Sequence, residues 1–222
     1  MNRVITVERS AVLSQLADEI ATLPVDSYVR VAIDGFDGAG KSIFADELGV
    51  ALTARNRNVV RATIDKFHNP KSIRYARGRN SPEGFYRDSY NLSALTTNLL
   101  APFGPQGNGL YRSGVFGVRS DSPNLEPFEH AAPGSILLLD GIFLHRSELS
   151  DWWSWSAWLD VNPEVSFARI QSRDGTGSAD PKADRNIRYR EGQRLYVTEA
   201  RPQEGASRII DNNDLSTPTI KR

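Results

Sequence analysis

Residues Gly35-Phe-Asp-Gly-Ala-Gly-Lys-Ser42 spell G-x-x-x-x-G-K-[ST] in full. The chemistry this spacing serves is the holding of a polyphosphate. Glycines let the main chain curl until successive N–H groups face one anion, and a helix opening at once behind them adds its partial positive end. In that frame Gly35, Asp37, Gly38, Ala39, Gly40 and Ile43 shape the cradle, and Lys41 reaches the β- and γ-phosphates of ATP or GTP. Ser42 offers a hydroxyl to Mg²⁺. The plainer alternative is a glycine-rich turn with a chance lysine, which must match the whole motif in a strand-to-helix context.

A phosphate loop leaves open where the γ-phosphoryl group goes. Ligands of open parallel sheets gather beyond the carboxyl ends of the strands, so acidic residues closing apolar runs come first. Asp65 closes "NVVRATID", where it can take the proton of an acceptor hydroxyl during transfer, or simply cap a turn. Asp140 closes "SILLLD" and suits a position that holds Mg²⁺ or its water; a turn cap is again the alternative. Asp160 runs into "DVNPE", the entry to a helix, and reads as structural. Arg169 and Arg173 are four apart and share one helix face, from which they can offset charge on the phosphates; a solvated basic face is the alternative. Arg185, Arg188 and Arg190 follow just beyond. His68, His130 and His145 are too scattered for a metal site, and Trp152, Trp153, Trp155 and Trp158 read as packing.

The elements that must position these residues follow from hydrophobic periodicity. Short β-branched runs at 28–34, 58–65, 135–141, 155–161 and 207–212 predict five strands, and helical spacing predicts helices over 41–55, 89–100, 163–173 and 184–200. Strands alternating with helices imply a parallel α/β sheet covered on both faces. Val12, Leu13, Leu16 and Ile20 predict an amphipathic helix before Pro24, giving an N-terminal helical extension over 1–27. The turn-rich 101–134 reads as an irregular loop on the acceptor side, and the polar 173–185 as a lid. The whole of 1–222 is expected to be one domain.

Composition narrows the partners. There are 27 basic and 27 acidic residues, so no global field points to nucleic acid or an anionic membrane. No cysteine is present, which excludes disulfides and thiolate chemistry. The N-terminus lacks a signal-peptide core and no apolar run is long enough to span a bilayer, so a soluble, cytoplasmic protein is expected. The N-K-x-D tetrapeptide of GTPases does not occur. A kinase of a small molecule remains.

The phosphate loop "GFDGAGKS", "DKF" after the second strand, "LLLDGIF", "WLDV" and the closing "ARPQEGASRIIDNND" together resemble the uridine kinase and phosphoribulokinase family over about residues 28–213. The resemblance implies a nucleoside-monophosphate-kinase-like α/β/α P-loop fold with a five-stranded parallel sheet and a lid. It also implies transfer of the γ-phosphate of ATP or GTP, with Mg²⁺, to a hydroxyl of a nucleoside or sugar derivative, and a homo-oligomer. Carried over by position, Asp65 looks like the general base, Asp140 like the acidic residue near Mg²⁺, and Arg173 like a lid arginine. Gln193 is similar to a glutamine facing the substrate. Tyr111 and Arg112 fall where a tyrosine lies beside the nucleoside base, and Asp88 resembles an acidic residue that holds ribose hydroxyls. The chain departs in having His68 where uridine kinases usually have tyrosine, and in lacking the usual Glu-Arg-Gly-Arg run in the lid.

The expected activity is therefore ATP-dependent phosphorylation of a small hydroxylated metabolite, with a uridine- or cytidine-like nucleoside first. Pantothenate, ribosylnicotinamide, a sugar or a sugar phosphate are alternatives, and for a phosphorylated acceptor Lys66, Lys71, Arg74, Arg77 and Arg79 offer cations near Asp65. A regulatory NTPase without a small acceptor is the alternative of a different class.

Overall fold

The computed structural model describes residues 5–175 and 178–222. Its centre is a sheet of β1 (Val29–Gly35), β2 (Val59–Thr63), β3 (Ile136–Asp140), β4 (Trp155–Asp160), β5 (Arg208–Asp211) and β6 (Thr219–Ile220). The spatial order is β2-β3-β1-β4-β5-β6. The first five strands run parallel, as the sequence predicts; β6 adds a short antiparallel edge that the periodicity does not announce.

Period-two alternation divides the core between the two faces of the sheet. In β3, Ile136 and Leu138 face one core with Val31 and Ile33 of β1, while Leu137 and Leu139 face the other with Ala32. Two helices cover the first face: α1 (Val7–Ala21), through Leu13, Leu16, Ala17 and Ile20, and α2 (Lys41–Thr53), through Phe44, Leu48 and Leu52. The opposite face is covered by α3 (Pro82–Asp88), α4 (Leu92–Leu95) and α6 (Ile187–Ala200), with α5 (Pro163–Asp174) following β4. No helix among the described residues is long and apolar enough to cross a membrane.

Several boundaries differ from the sequence expectation. The helix predicted over 89–100 is α4 continued by a π-turn over Thr96–Leu100 and a 3₁₀ turn over Ala101–Phe103, because Asn91 caps its start by accepting from Ala94 N at 2.9 Å. α3, which carries Pro82 in its first turn, has no counterpart in the predicted set. β2 stops at Thr63, whose Oγ1 accepts from Asp65 N, so Asp65 sits in a 3₁₀ turn (Ile64–Phe67) just beyond the strand. Within 101–134, irregular as expected, Leu110–Tyr111 pairs with Glu129–His130 and Phe116–Gly117 with Ser122–Pro123. Of the expected lid, Arg173 and Asp174 belong to α5, Gly175 closes that helix at φ +64°, and a 3₁₀ turn spans Asp184–Asn186. Thr176 and Gly177 lie outside the described residues, as do the first four residues of the N-terminal extension.

Candidate active site

The phosphate loop joins β1 to α2 with Gly38 at φ +77° and Gly40, the N-cap of α2, at φ +89°. A Cβ on Gly38 would lie 2.5 Å from the Ser166 carbonyl oxygen, so only glycine allows α5 to approach the loop this closely. Neighbours fix the loop from several sides. Asp37 N donates to Gln193 Oε1 at 2.8 Å, Ser166 Oγ donates to the Asp37 carbonyl, and Asn212 Nδ2 donates to the Ala39 carbonyl at 2.7 Å. Beneath the loop, Asp34 is fully buried and accepts from Gly35 N at 2.7 Å. Its other oxygen accepts from the Tyr196 hydroxyl and lies 2.7 Å from His145 Nδ1. Burial, then the Asp34 carboxylate, holds the Tyr196 phenol well above its ordinary pKa, so its proton stays in this network. Lys41 rests against the loop, its Nζ donating to the Phe36 carbonyl at 2.8 Å.

Ser42 and Asp140 meet as oxygen donors: Ser42 Oγ donates to Asp140 Oδ2 at 2.6 Å. Asp140 Oδ1 accepts from Arg61 Nη2 at 3.1 Å, and Arg61 in turn pairs with Asp46 at 2.8 Å. The geometry suits a cation that binds one hydroxyl, one carboxylate and the oxygens of a phosphate. Gly141 follows, and a Cβ there would strike Ile64 Cγ2 at 2.3 Å; this close approach brings the Asp65 turn alongside Asp140.

Asp65 presents an exposed carboxylate whose Oδ1 accepts from the Tyr90 hydroxyl at 3.0 Å. Burial, and then Asp65 itself, holds the Tyr90 phenol well above its ordinary pKa, so it remains a donor and orients the carboxylate. His68 Nδ1 lies 2.8 Å from the Asp65 carbonyl oxygen, and its ring packs on Tyr90 with centroids 4.5 Å apart. Burial pushes the His68 imidazole below its ordinary pKa.

One cleft of about 690 Å³ joins these parts. Of the residues singled out in the sequence, Asp37, Gly38, Gly40, Lys41, Ser42, Ile43, Asp65, Asp140, Arg169 and Arg173 line it. Arg173 pairs with Asp174 at 2.7 Å and reaches Asp37 at 3.7 Å; these carboxylates hold its guanidinium above the ordinary range. Arg169 Nη2 donates to the carbonyls of Asn212 and Asn213 at 3.1 and 2.7 Å. Gly35 and Ala39 are buried in the loop wall.

The expected acceptor residues are placed differently. Asp88 lies outside the cleft lining, its carboxylate bound to Arg77 Nε at 2.8 Å. Tyr111 is buried in the core, its hydroxyl donating to Glu129 at 3.2 Å, while Arg112 stacks on Phe128 with its guanidinium 4.2 Å from the ring centre. Gln193 braces the phosphate loop, where the resemblance implies an acceptor contact. In their place His68, Arg74, Tyr75, Tyr90, Arg188 and Tyr189 line the cleft. Arg188 and the departure at His68 are visible in the sequence; the tyrosines carry no local signal that would mark them.

No protein-family model matches the sequence, and no curated protein does either. Solved structures do. One described as that of "a Possible Uridine Kinase from Bacillus stearothermophilus" superimposes with a TM-score of 0.70 at 16% identity, covering 89% of this chain and 96% of its own. Phosphoribulokinase from Rhodobacter spheroides gives 0.57 at 16% identity, over 85% of this chain and 71% of its own. D-glycerate 3-kinase from Cryptococcus neoformans gives 0.51 at 11% identity, over 85% of each chain. With its mostly parallel six-stranded sheet, the chain has the fold of the P-loop kinases of the uridine kinase and phosphoribulokinase group.

Proposed function

We propose that the protein is an ATP-dependent kinase of a small hydroxylated metabolite. The observation that carries this reading is the convergence of the phosphate loop, the Ser42–Asp140 oxygen pair and the exposed carboxylate of Asp65 on one cleft. The carboxylate steered by a buried tyrosine suits deprotonation of an acceptor hydroxyl, and the same cleft is lined further by His68, Tyr75, Arg188 and Tyr189.

In this reading the loop N–H groups and Lys41 bind the β- and γ-phosphates of ATP, with Lys41 leaving the Phe36 carbonyl for the anion. Ser42 and Asp140 would hold Mg²⁺, which neutralises charge on the phosphate oxygens when bound. Asp65 accepts the proton of the acceptor hydroxyl as that oxygen forms its bond to the γ-phosphorus and the bond to the β–γ bridging oxygen breaks, releasing ADP. Arg173 offsets charge on the transferring group. The 101–134 loop covers the acceptor end, since Val118 lines the cleft and Asp121 pairs with Arg74, and Arg173, at the start of the expected lid, lines the same cleft.

A nucleoside acceptor is favoured by the likeness to the Bacillus structure, yet Asp88, Tyr111 and Arg112 lie outside the cleft lining. The test is ADP formation from Mg-ATP with a panel of nucleosides, sugars, sugar phosphates, hydroxy acids and pantothenate. An acceptor that raises ADP formation far above the acceptor-free rate supports the kinase. ADP formation indifferent to every acceptor favours a regulatory NTPase.

A further inference from the structure

The acceptor end of the cleft concentrates positive charge. The guanidinium carbons of Arg74, Arg79 and Arg188 lie 5.4, 5.5 and 4.8 Å from the centre of the Tyr75 ring. Arg188 also stands over Phe85 at 5.6 Å. Arg74 and Arg188 are each only 8% exposed. Against these three cations the described residues supply one carboxylate at ion-pair distance, Asp121, 3.1 Å from Arg74. Among the described residues, the Arg188 guanidinium donates only to main-chain carbonyls, those of Arg79 and Arg74. A buried guanidinium held by neutral carbonyls and aromatic faces, beside two further cations, is missing a counter-anion.

We infer that the acceptor carries a phosphate monoester or carboxylate besides its reacting hydroxyl, and that Arg188, supported by Arg74, receives this anionic group. Arg74, Tyr75, Arg188 and Tyr189 line the same cleft as Lys41 and Asp65, so one molecule can bridge the two ends. His68, whose Nδ1 lies 2.8 Å from the Asp65 carbonyl oxygen, lines the same cleft as Arg74 and Arg188. Burial, with Arg74 and Arg79 adding to it, pushes the Arg188 guanidinium down from its ordinary pKa, the direction that a bound anion would reverse. Arginine suits the task because its fork can donate two parallel bonds to a planar carboxylate or a phosphate edge. The phosphates of the nucleotide have their own site in the loop, which leaves this cluster for the other substrate.

This inference rests on the kinase reading, and its test separates the two. Binding is measured by calorimetry on the full chain with Mg²⁺ and a non-hydrolysable ATP analogue, for matched pairs: ribose and ribose 5-phosphate, fructose and fructose 6-phosphate, glycerol and glycerate, with uridine as a further neutral arm. ADP formation from ATP is followed in parallel. We expect the charged member of at least one pair to bind at least tenfold more tightly than its neutral partner. Arg188→Met should erase that advantage, weakening it by roughly 10- to 100-fold, the weight of charge-assisted hydrogen bonds. Affinity for the ATP analogue should stay within twofold. Which pair responds separates phosphate from carboxylate. Arg188→Lys, which keeps the charge and loses the fork, should weaken the charged ligand by a smaller factor and carries the test if Arg188→Met does not fold.

Neutral members binding as tightly as charged ones, no charged member binding, or Arg188 substitutions weakening only the ATP analogue would each overturn the inference. Charged-ligand binding that depends on Arg188, without ADP formation from any acceptor, would sink the kinase reading and leave the anion site standing. ADP formation with a neutral acceptor alone would do the reverse.

Discussion

The two ends of the cleft are built in different ways. At the phosphate end, eight consecutive residues make the site, and buried polar groups from distant elements hold their backbone: Asp34 under Gly35, Gln193 on Asp37, Asn212 on Ala39. At the acceptor end, side chains from separate segments meet around Tyr75 and Tyr90, and the chain supplies aromatic faces and guanidiniums with no comparable backbone cradle. In the proposed reading the first end would offer main-chain N–H groups to an anion common to all nucleotides, and the second would read one molecule through exchangeable side chains, so substitutions at the two ends should produce different signatures.

Large effects belong to the phosphate end. Lys41→Met should lower turnover by about 10²–10³-fold, because a preorganised cation facing the transferring phosphoryl group is lost; steady-state kinetics at saturating ATP checks this. Gly38→Ala should weaken nucleotide binding and destabilise the fold by about 1–3 kcal/mol, since the new Cβ meets a main-chain oxygen at a left-handed φ. Chemical denaturation and nucleotide titration would read both.

Beneath the loop, His145→Ala should cost about 1–3 kcal/mol by leaving Asp34 buried and short of a partner, with no effect on the charge preference of the acceptor. A selective loss of acceptor affinity in this variant would blur the division between the ends. At the acceptor end, Tyr90→Phe should reduce kcat about tenfold and leave nucleotide affinity unchanged, since a single hydrogen bond orients the Asp65 carboxylate.

The smallest expected effect lies away from both ends. The hydrogen bond from Arg146 lowers the Glu148 carboxyl from 4.5 to about 2. A depressed carboxyl stabilises the fold above its unfolded pKa and loses that contribution as pH falls through the folded one. Glu148→Gln should therefore cost most above about pH 5, progressively less towards about pH 2 and nothing well below it, and solvent screening of this half-exposed group keeps the cost below about 1 kcal/mol. Melting curves across this range would show it.

Legibility in the sequence follows the same division. The loop could be read because its function depends on the spacing of contiguous residues, and the five parallel strands because burial on both faces demands unbroken apolar runs. β6 carries no period in two residues, and α3, although Ser81 caps it by accepting from Gly84 N at 3.0 Å and Pro82 opens it, is too short at seven residues to show a helical period. The sequence predicts a strand running to Asp65, whereas β2 closes two residues earlier and Asp65 follows in the turn. The roles that the resemblance implies for Tyr111, Arg112 and Asp88 rest on order along the chain, and order does not determine which side of a folded loop faces a cleft. Tyr75, Tyr90 and Arg188 meet at one cleft only through the tertiary fold, which no local pattern encodes.

The claim on which the rest depends is that Asp65 handles an acceptor hydroxyl while the loop handles the nucleotide. The most direct measurement compares wild type and Asp65→Asn, with the acceptor found in the panel, for ADP formation and for affinity towards Mg-ATP. The account predicts a fall in kcat of about 10²–10⁴-fold with nucleotide affinity unchanged. Collapse of nucleotide affinity with turnover retained at saturating ATP would contradict it.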